Sequence, residues 1–236
     1  MQKALPRFGR LLAMTHQRFS NIVSETRALT PDVHRLEKAA RKAYDSRNLS
    51  YYDGYHPTSR YFDELIDAYL IDNPLPVAPA STWLETGSGR GRLRSAAGRR
   101  IEFSRFYLDI SRLMLQQLDD VDGSAVLGSA LRLPFRAASF DGVVAFLGDA
   151  FTTKGYFDEA HRVLKEDGSL LHIVPSATWG HILRQRLGYQ PDETVFRGLY
   201  GDAIDAPSLL YDGDYLKELL RQAGFRGISV DTLHPL

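Results

Sequence analysis

The chain of 236 residues contains no cysteine. A disulfide framework, a thiolate metal site and a cysteine nucleophile are therefore all excluded. Lysine is scarce, confined to positions 3, 38, 42, 154, 165 and 217, so the basic residues are mainly arginine. This reads as a compositional bias rather than a function. Charge of either sign is not in excess: 29 basic and 29 acidic residues give a net charge of zero, which argues against a bulk nucleic-acid binder. No apolar run approaches the ~18 residues of a membrane span, so the expectation is a soluble cytoplasmic protein. The hydrophobic fraction of 44% is ordinary and does not suggest disorder. The length suits one α/β domain with a helical addition.

The most informative stretch is Thr82-Trp83-Leu84-Glu85-Thr86-Gly87-Ser88-Gly89-Arg90-Gly91-Arg92-Leu93. An apolar run ends on a carboxylate and then turns through three glycines at every second position. Such a strand-to-helix turn leaves backbone N–H groups free at a helix start and lets a ligand approach the main chain. It is not the dinucleotide fingerprint Gly-x-Gly-x-x-Gly, because Gly91 falls one residue early and Arg92 occupies the third-glycine position.

A second apolar run, Phe106-Tyr107-Leu108, ends on Asp109, where doubly wound folds keep an acid for ribose hydroxyls. There follow Gly128-Ser129-Ala130-Leu131-Arg132-Leu133-Pro134-Phe135, then Ser139-Phe140-Asp141-Gly142-Val143-Val144, then Glu159-Ala160-His161-Arg162-Val163-Leu164-Lys165-Glu166-Asp167-Gly168. From about Glu85 to Val230 this ordered series resembles the class I S-adenosylmethionine-dependent methyltransferases, specifically the methyltransferase type 11 group. The resemblance implies a Rossmann-like α/β fold, with a doubly wound, mostly parallel sheet behind an N-terminal helical lid. Strands are expected near 82–86, 105–109, 124–128, 141–147 and 169–174, and helices near 90–98, 111–118, 155–166 and 214–222. Alternation of this kind places ligands at the carboxyl ends of the strands.

Residues 1–75 read as a helical extension and lid, and 76–236 as the cofactor-binding domain, with a cap insertion near 176–211. Leu5, Phe8, Leu12, Phe19, Ile22 and Val23 fall close to a helical stripe. Met1 to Val23 therefore reads as a helix packed on the domain or on a second subunit, or as a membrane-surface or targeting segment. Thr30-Pro31-Asp32 reads as a helix start, with Val33, Leu36, Ala40, Ala43 and Tyr44 on one face. A further helix carries Tyr61, Phe62, Leu65, Ile66, Tyr69 and Leu70 and stops before Pro74. The family usually closes with an antiparallel hairpin, and after the strand through Val230 there is no room for its final strand. An exposed sheet edge is expected as a result.

The resemblance carries site roles onto particular residues. Gly87, Ser88, Gly89 and Gly91 bring main chain to the methionine and ribose parts of S-adenosyl-L-methionine. Glu85 stands near its amino group, or instead caps nearby backbone N–H groups. Asp109 accepts the ribose hydroxyls, or instead caps the helix at Ser111. Ile110, Ser129, Ala130 and Leu131 surround the adenine, with Ser129 standing where the family commonly carries aspartate. Phe146 and Leu147 line the donor side. Because the donor activates its own methyl, no metal and no covalent nucleophile are needed. Candidate catalytic residues are His181, Tyr52 and Asp149, with His56 as a further base and Tyr44 and Tyr51 as further lid tyrosines. Each also reads as a structural residue.

Leu147-Gly148-Asp149-Ala150-Phe151 replaces the Asn/Asp-Pro-Pro-Tyr of enzymes that methylate nucleic-acid amines. Arginines 90, 92, 94, 99, 100 and 105 read mostly as a solvated helix face. The expected activity is direct in-line methyl transfer to the oxygen, nitrogen or carbon of a small molecule by a monomer or homodimer, without a nucleic-acid partner. The alternative is a catalytically silent cofactor-binding or scaffold protein of the same fold.

Overall fold

Apolar strands that are buried on both faces belong in a parallel sheet covered by helices, and the computed structural model has that arrangement. It describes residues 9–13, 32–45, 57–97, 101–120, 122–187, 193–197 and 203–233. The main sheet contains β1 (Gly9–Ala13), β2 (Thr82–Thr86), β3 (Ser104–Asp109), β4 (Ser124–Leu127), β5 (Phe140–Phe146), β6 (Leu164–Val174) and β9 (Ile228–Asp231). Their order is β4-β3-β2-β5-β6-β1-β9, and every pairing is parallel. The order reverses between β2 and β5, which is where an open parallel sheet leaves a crevice beyond its strand ends.

Side chains alternate across the sheet, as a period of two requires. Leu84, Leu108, Val143 and Ala145 enter a core with α5 (Lys154–Val163) and α7 (Gly213–Gln222). Trp83, Tyr107 and Val144 enter the opposite core with α2 (Pro57–Asp72) and α3 (Leu93–Ala96). The remaining helices are α1 (Val33–Tyr44), α4 (Arg112–Leu115) and α6 (Ala177–Leu187), and β7 (Glu193–Arg197) pairs with β8 (Ala203–Pro207) in a separate antiparallel ribbon. No helix among the described residues is long and apolar enough to cross a membrane.

The expected central strands and the helices over α5 and α7 stand within a few residues of their positions. Two N-terminal readings need correction. Residues 9–13 are a strand, not part of a helix, and they lie between β6 and β9 in parallel register with both. At Gly9–Ala13 the local apolar spacing is overridden by a place inside the parallel sheet. β6 is therefore paired on both sides, and the sheet ends at β9. Second, α1 is capped by Asp32, whose carboxylate accepts the N–H groups of His34 (3.0 Å) and Arg35 (3.4 Å). Thr30 and Pro31 lie outside the described residues.

One buried ionic cluster braces β3 from behind. The Arg105 guanidinium meets Asp120, each side chain being 5% exposed. The Tyr107 hydroxyl donates to Asp120 Oδ2 at 2.7 Å. Burial alone would raise the Asp120 carboxyl, but Arg105 and Tyr107 hold it below its ordinary value. Breaking one partner leaves a buried guanidinium unpaired, so Asp120→Ala is expected to lose about 3–5 kcal/mol in urea unfolding. Removal of residues 1–13 is expected to expose the facing edges of β6 and β9. A lower unfolding midpoint and concentration-dependent association by light scattering would report it.

Candidate active site

The site begins where β2 runs out of sheet. Gly87, Gly89 and Gly91 have φ of 63°, 49° and 79°, in the left-handed region that side chains resist. Space is also limiting: a Cβ on Gly87 would lie 2.7 Å from Phe151 Cε1, and one on Gly91 would lie 2.5 Å from Leu118 Cδ1. Both requirements select glycine and keep the loop main chain open to the crevice.

Glu85 organises the turn that follows. Its carboxyl oxygens accept the N–H groups of Arg92 (2.8 and 3.1 Å) and Leu93 (2.7 Å), at the start of α3. Burial pushes this carboxyl up to about 7, against the lowering effect of those N–H donors. Asp109 does the same at the next strand end. Its Oδ2 accepts the Gly89 N–H at 3.0 Å and its Oδ1 the Ser111 N–H at 2.9 Å. Burial raises the Asp109 carboxyl too, and the N–H donors of Ser111 and Gly89 oppose that shift.

At the end of β5 the chain turns through Leu147, a non-glycine residue with φ 61° and ψ 50°. Such a conformation costs roughly 1–2 kcal/mol, and in this chain it lies in the wall of a cavity. The 3-10 turn Gly148–Phe151 follows, packed over His172. His172 is fully buried, its Nε2 is 2.9 Å from Thr152 Oγ1, and burial pushes it down to about 3. It is a neutral packing residue and not a base.

Two helices roof this crevice. The Arg92 guanidinium reaches from the glycine loop to both Asp63 and Asp67 of α2, and it also lies 5.8 Å from the Phe146 ring centre. Phe62 of α2 meets Trp179 of α6 edge-on, with ring centres 4.9 Å apart. Asp45, just beyond α1, accepts the Ser111 hydroxyl at 2.7 Å. The arginines expected on a solvated face are therefore largely ties: Arg92 to α2, Arg94 to Asp120 and Asp122, and Arg105 inside. Arg90 lines the crevice, and Arg99 and Arg100 lie outside the described residues.

The crevice forms a partly open cavity of about 310 Å³. Of the residues expected around a cofactor, Glu85, Gly87, Ser88, Gly91, Asp109, Ile110, Ser129, Ala130, Leu131, Phe146 and Leu147 line it, as does Tyr44. Gly89 instead positions Asp109. The Ser129 hydroxyl accepts the Leu131 N–H at 3.1 Å. The catalytic candidates among the described residues do not line it. Asp149 accepts the Ser208 hydroxyl at 2.6 Å and is not part of the lining, nor is His181 on α6. Tyr52, Tyr51 and His56 lie outside the described residues.

The sequence reading missed Leu36 and Glu37 of α1, Asp63 and Asp67 of α2, and Met114 in the lining. For Glu37 a signal existed, since it falls one turn from Val33 and Ala40 on the apolar face of α1.

A carboxyl whose folded pKa lies above its unfolded value stabilises the protein most when protonated. The contribution of Glu85 is complete below about 4.5 and is lost as the pH rises through about 7. Glu85→Gln is expected to flatten the fall in unfolding free energy over that window by on the order of 3 kcal/mol, read from urea titrations at successive pH values.

Comparison with known proteins agrees with this architecture. Residues 84–172 match the family model described as a methyltransferase domain. Among curated proteins none matches the sequence. A solved chain from the complex of a methyltransferase activator with its methyltransferase in Haloferax volcanii is 20% identical, with TM-score 0.56, covering 76% of each chain. Geranyl diphosphate C-methyltransferase from Streptomyces coelicolor is 15% identical, with TM-score 0.52, covering 82% of this chain and 80% of that one. It was solved with Mg2+, geranyl diphosphate and S-adenosylhomocysteine. A phosphoethanolamine N-methyltransferase from Haemonchus contortus is 17% identical, with TM-score 0.50, covering 76% of this chain and 44% of that one; it too holds S-adenosylhomocysteine. At these identities the likeness to solved structures is one of fold. The matched segment, 84–172, carries the glycine loop at the sheet's switch point, and this part of the chain is similar to a methyltransferase domain on a Rossmann-like methyltransferase fold.

Proposed function

We propose that the protein transfers a methyl group from S-adenosylmethionine directly to a small molecule held beneath α1 and α2. The observation that carries this reading is the roof itself. Arg92 ties α2 to the glycine loop, and α1 is tied to Ser111 by Asp45, so the two helices narrow the crevice to a partly open cavity of about 310 Å³. That volume lies at the small end of the ~300–1,000 Å³ usual for ligand pockets, which favours a compact acceptor over a polymer.

The residues present fit the donor. The Ser88 hydroxyl is buried without a hydrogen-bond partner in the wall of the cavity, a group that a polar ligand would satisfy. Ile110, Met114 and Leu131 offer apolar surface for an adenine ring. Asp109 would receive the ribose, since each oxygen keeps lone-pair capacity beyond its one backbone N–H. Glu85 would face the ligand's ammonium, a cation that draws its carboxyl toward the ionised form.

The donor, when bound, supplies a methyl already activated by its sulfonium. The protein's own work is then positional. Holding reactants in line is worth about 7–11 kcal/mol of a barrier. Here the rigid elements for that task are the strained Leu147 turn and the roof helices.

Calorimetric titration with S-adenosylhomocysteine should show binding to the wild type, and Asp109→Ala should weaken it by about 100-fold or more, as expected for losing charged hydrogen bonds of about 1.5–3 kcal/mol each. Mass spectrometry of a small-molecule acceptor panel then reports transfer. A folded wild type that binds neither donor nor product would overturn the assignment.

A further inference from the structure

Resting on that functional reading, the structure also carries information about the acceptor. The cavity is lined by six carboxyl side chains, Glu37, Asp63, Asp67, Glu85, Asp109 and Asp119, against two guanidiniums, Arg90 and Arg92. Most of the carboxyls are already engaged. Glu85 and Asp109 receive backbone N–H groups at both oxygens. Asp63 and Asp67 share the Arg92 guanidinium. Asp119 is exposed to solvent. Glu37 is different. Its side chain is 16% exposed, and its Oε1 is buried with no hydrogen-bond partner. Its other oxygen lies 3.9 Å from the ring of His34, a residue that is 86% exposed.

A buried carboxyl oxygen without a donor is costly. Its place in the fold indicates which ligand would satisfy it. The C-terminal end of α1 is held at Ser111, beside the strand end that carries Asp109. Glu37 lies eight residues earlier, about 12 Å back along the helix axis at 1.5 Å per residue. α1 also packs against the 3-10 turn Gly148–Phe151 and against β8. On the functional reading above, Asp109 and Glu85 would hold the ribose and amino groups of the donor. Glu37 is thus left for the acceptor, with Leu36, Ala40, Ala150 and Phe151 as apolar lining of the same cavity.

We propose that Glu37 is the acceptor-recognition carboxyl and that the acceptor is a small molecule bearing a basic amine next to an apolar body. A protonated or hydrogen-bearing nitrogen donates to Oε1, and a charge-assisted bond of this kind is roughly twice as strong as one from a neutral hydroxyl. An acceptor carboxylate or phosphate at the same place would meet the carboxyl excess of the cavity.

Matched ligands on one body test the proposal: 2-phenylethylamine, 2-phenylethanol and phenylacetate, with tryptamine, tryptophol and indole-3-acetate as a larger set. Each is titrated calorimetrically into the wild type saturated with S-adenosylhomocysteine. The amine of each set should bind most tightly and the acid most weakly. Glu37→Gln should weaken amine binding by about tenfold or more while leaving S-adenosylhomocysteine and the alcohols within about twofold, and Glu37→Asp should recover part of the loss. An acid or alcohol that binds as well as its amine, or no amine binding at all, overturns the proposal. So does an equal loss of S-adenosylhomocysteine and amine affinity in Glu37→Gln, which would make Glu37 part of the donor's site. Failure of S-adenosylhomocysteine to bind the folded wild type overturns the functional reading instead.

Discussion

The arrangement of the whole carboxyl end of the sheet depends on one capping interaction. The Glu85 carboxyl, at the last turns of β2, takes the first free N–H groups of α3. This fixes where the loop between them must close, and the loop can close there only through left-handed residues. Asp109 repeats the device from the neighbouring strand, reaching back to the Gly89 N–H. Two acids in adjacent strands thereby hold the glycine loop from below and from the side. Each is kept in a poorly solvated position where its ionised form is disfavoured. The arrangement is held by hydrogen bonds to main chain rather than by burial of apolar surface. It therefore leaves the face toward the crevice unobstructed.

Arg92 couples α2 to that loop. Arg92 occupies the position where a dinucleotide fold would have its third glycine, and its backbone and its guanidinium serve different partners. The N–H belongs to Glu85, and the guanidinium belongs to the two acids of α2. A displacement of the loop by a ligand would thus be felt in α2, and through the Phe62–Trp179 contact in α6. Glycine at this position could transmit nothing, having no side chain to share.

Much of this was legible in the sequence because the relevant signals are local. An apolar run ending on an acid, followed by glycines, predicts a strand, a turn and a helix start without knowledge of the rest of the chain. Glu85, Asp109 and the residues after β4 and β5 were found this way. What stayed illegible is non-local. The partners of Arg92 lie 25 and 29 residues earlier in the chain, and nothing in the spacing links them. Asp149 sat at a strand end, where a catalytic acid would be expected, but a serine from the cap side, 59 residues on, occupies it. The strand at 9–13 was misread for the same reason. Five residues hold too little periodicity to separate a helix stripe from a buried strand, and its partners lie at the far end of the chain.

That strand has a kinetic consequence. Leu11 pairs with His172 on one side and Val230 on the other, so the sheet joins the beginning of the chain to its end. Contacts of such sequence separation form late, because a large loop must close before they give any return. During synthesis the first strand has no partner until β6 has emerged, and its second flank stays open until the last helix and strand have been made. The rest of the doubly wound core, from β2 to β6, can assemble in the interim from neighbouring units. Completion of the sheet by β1 and β9 is then expected to be the final step of folding.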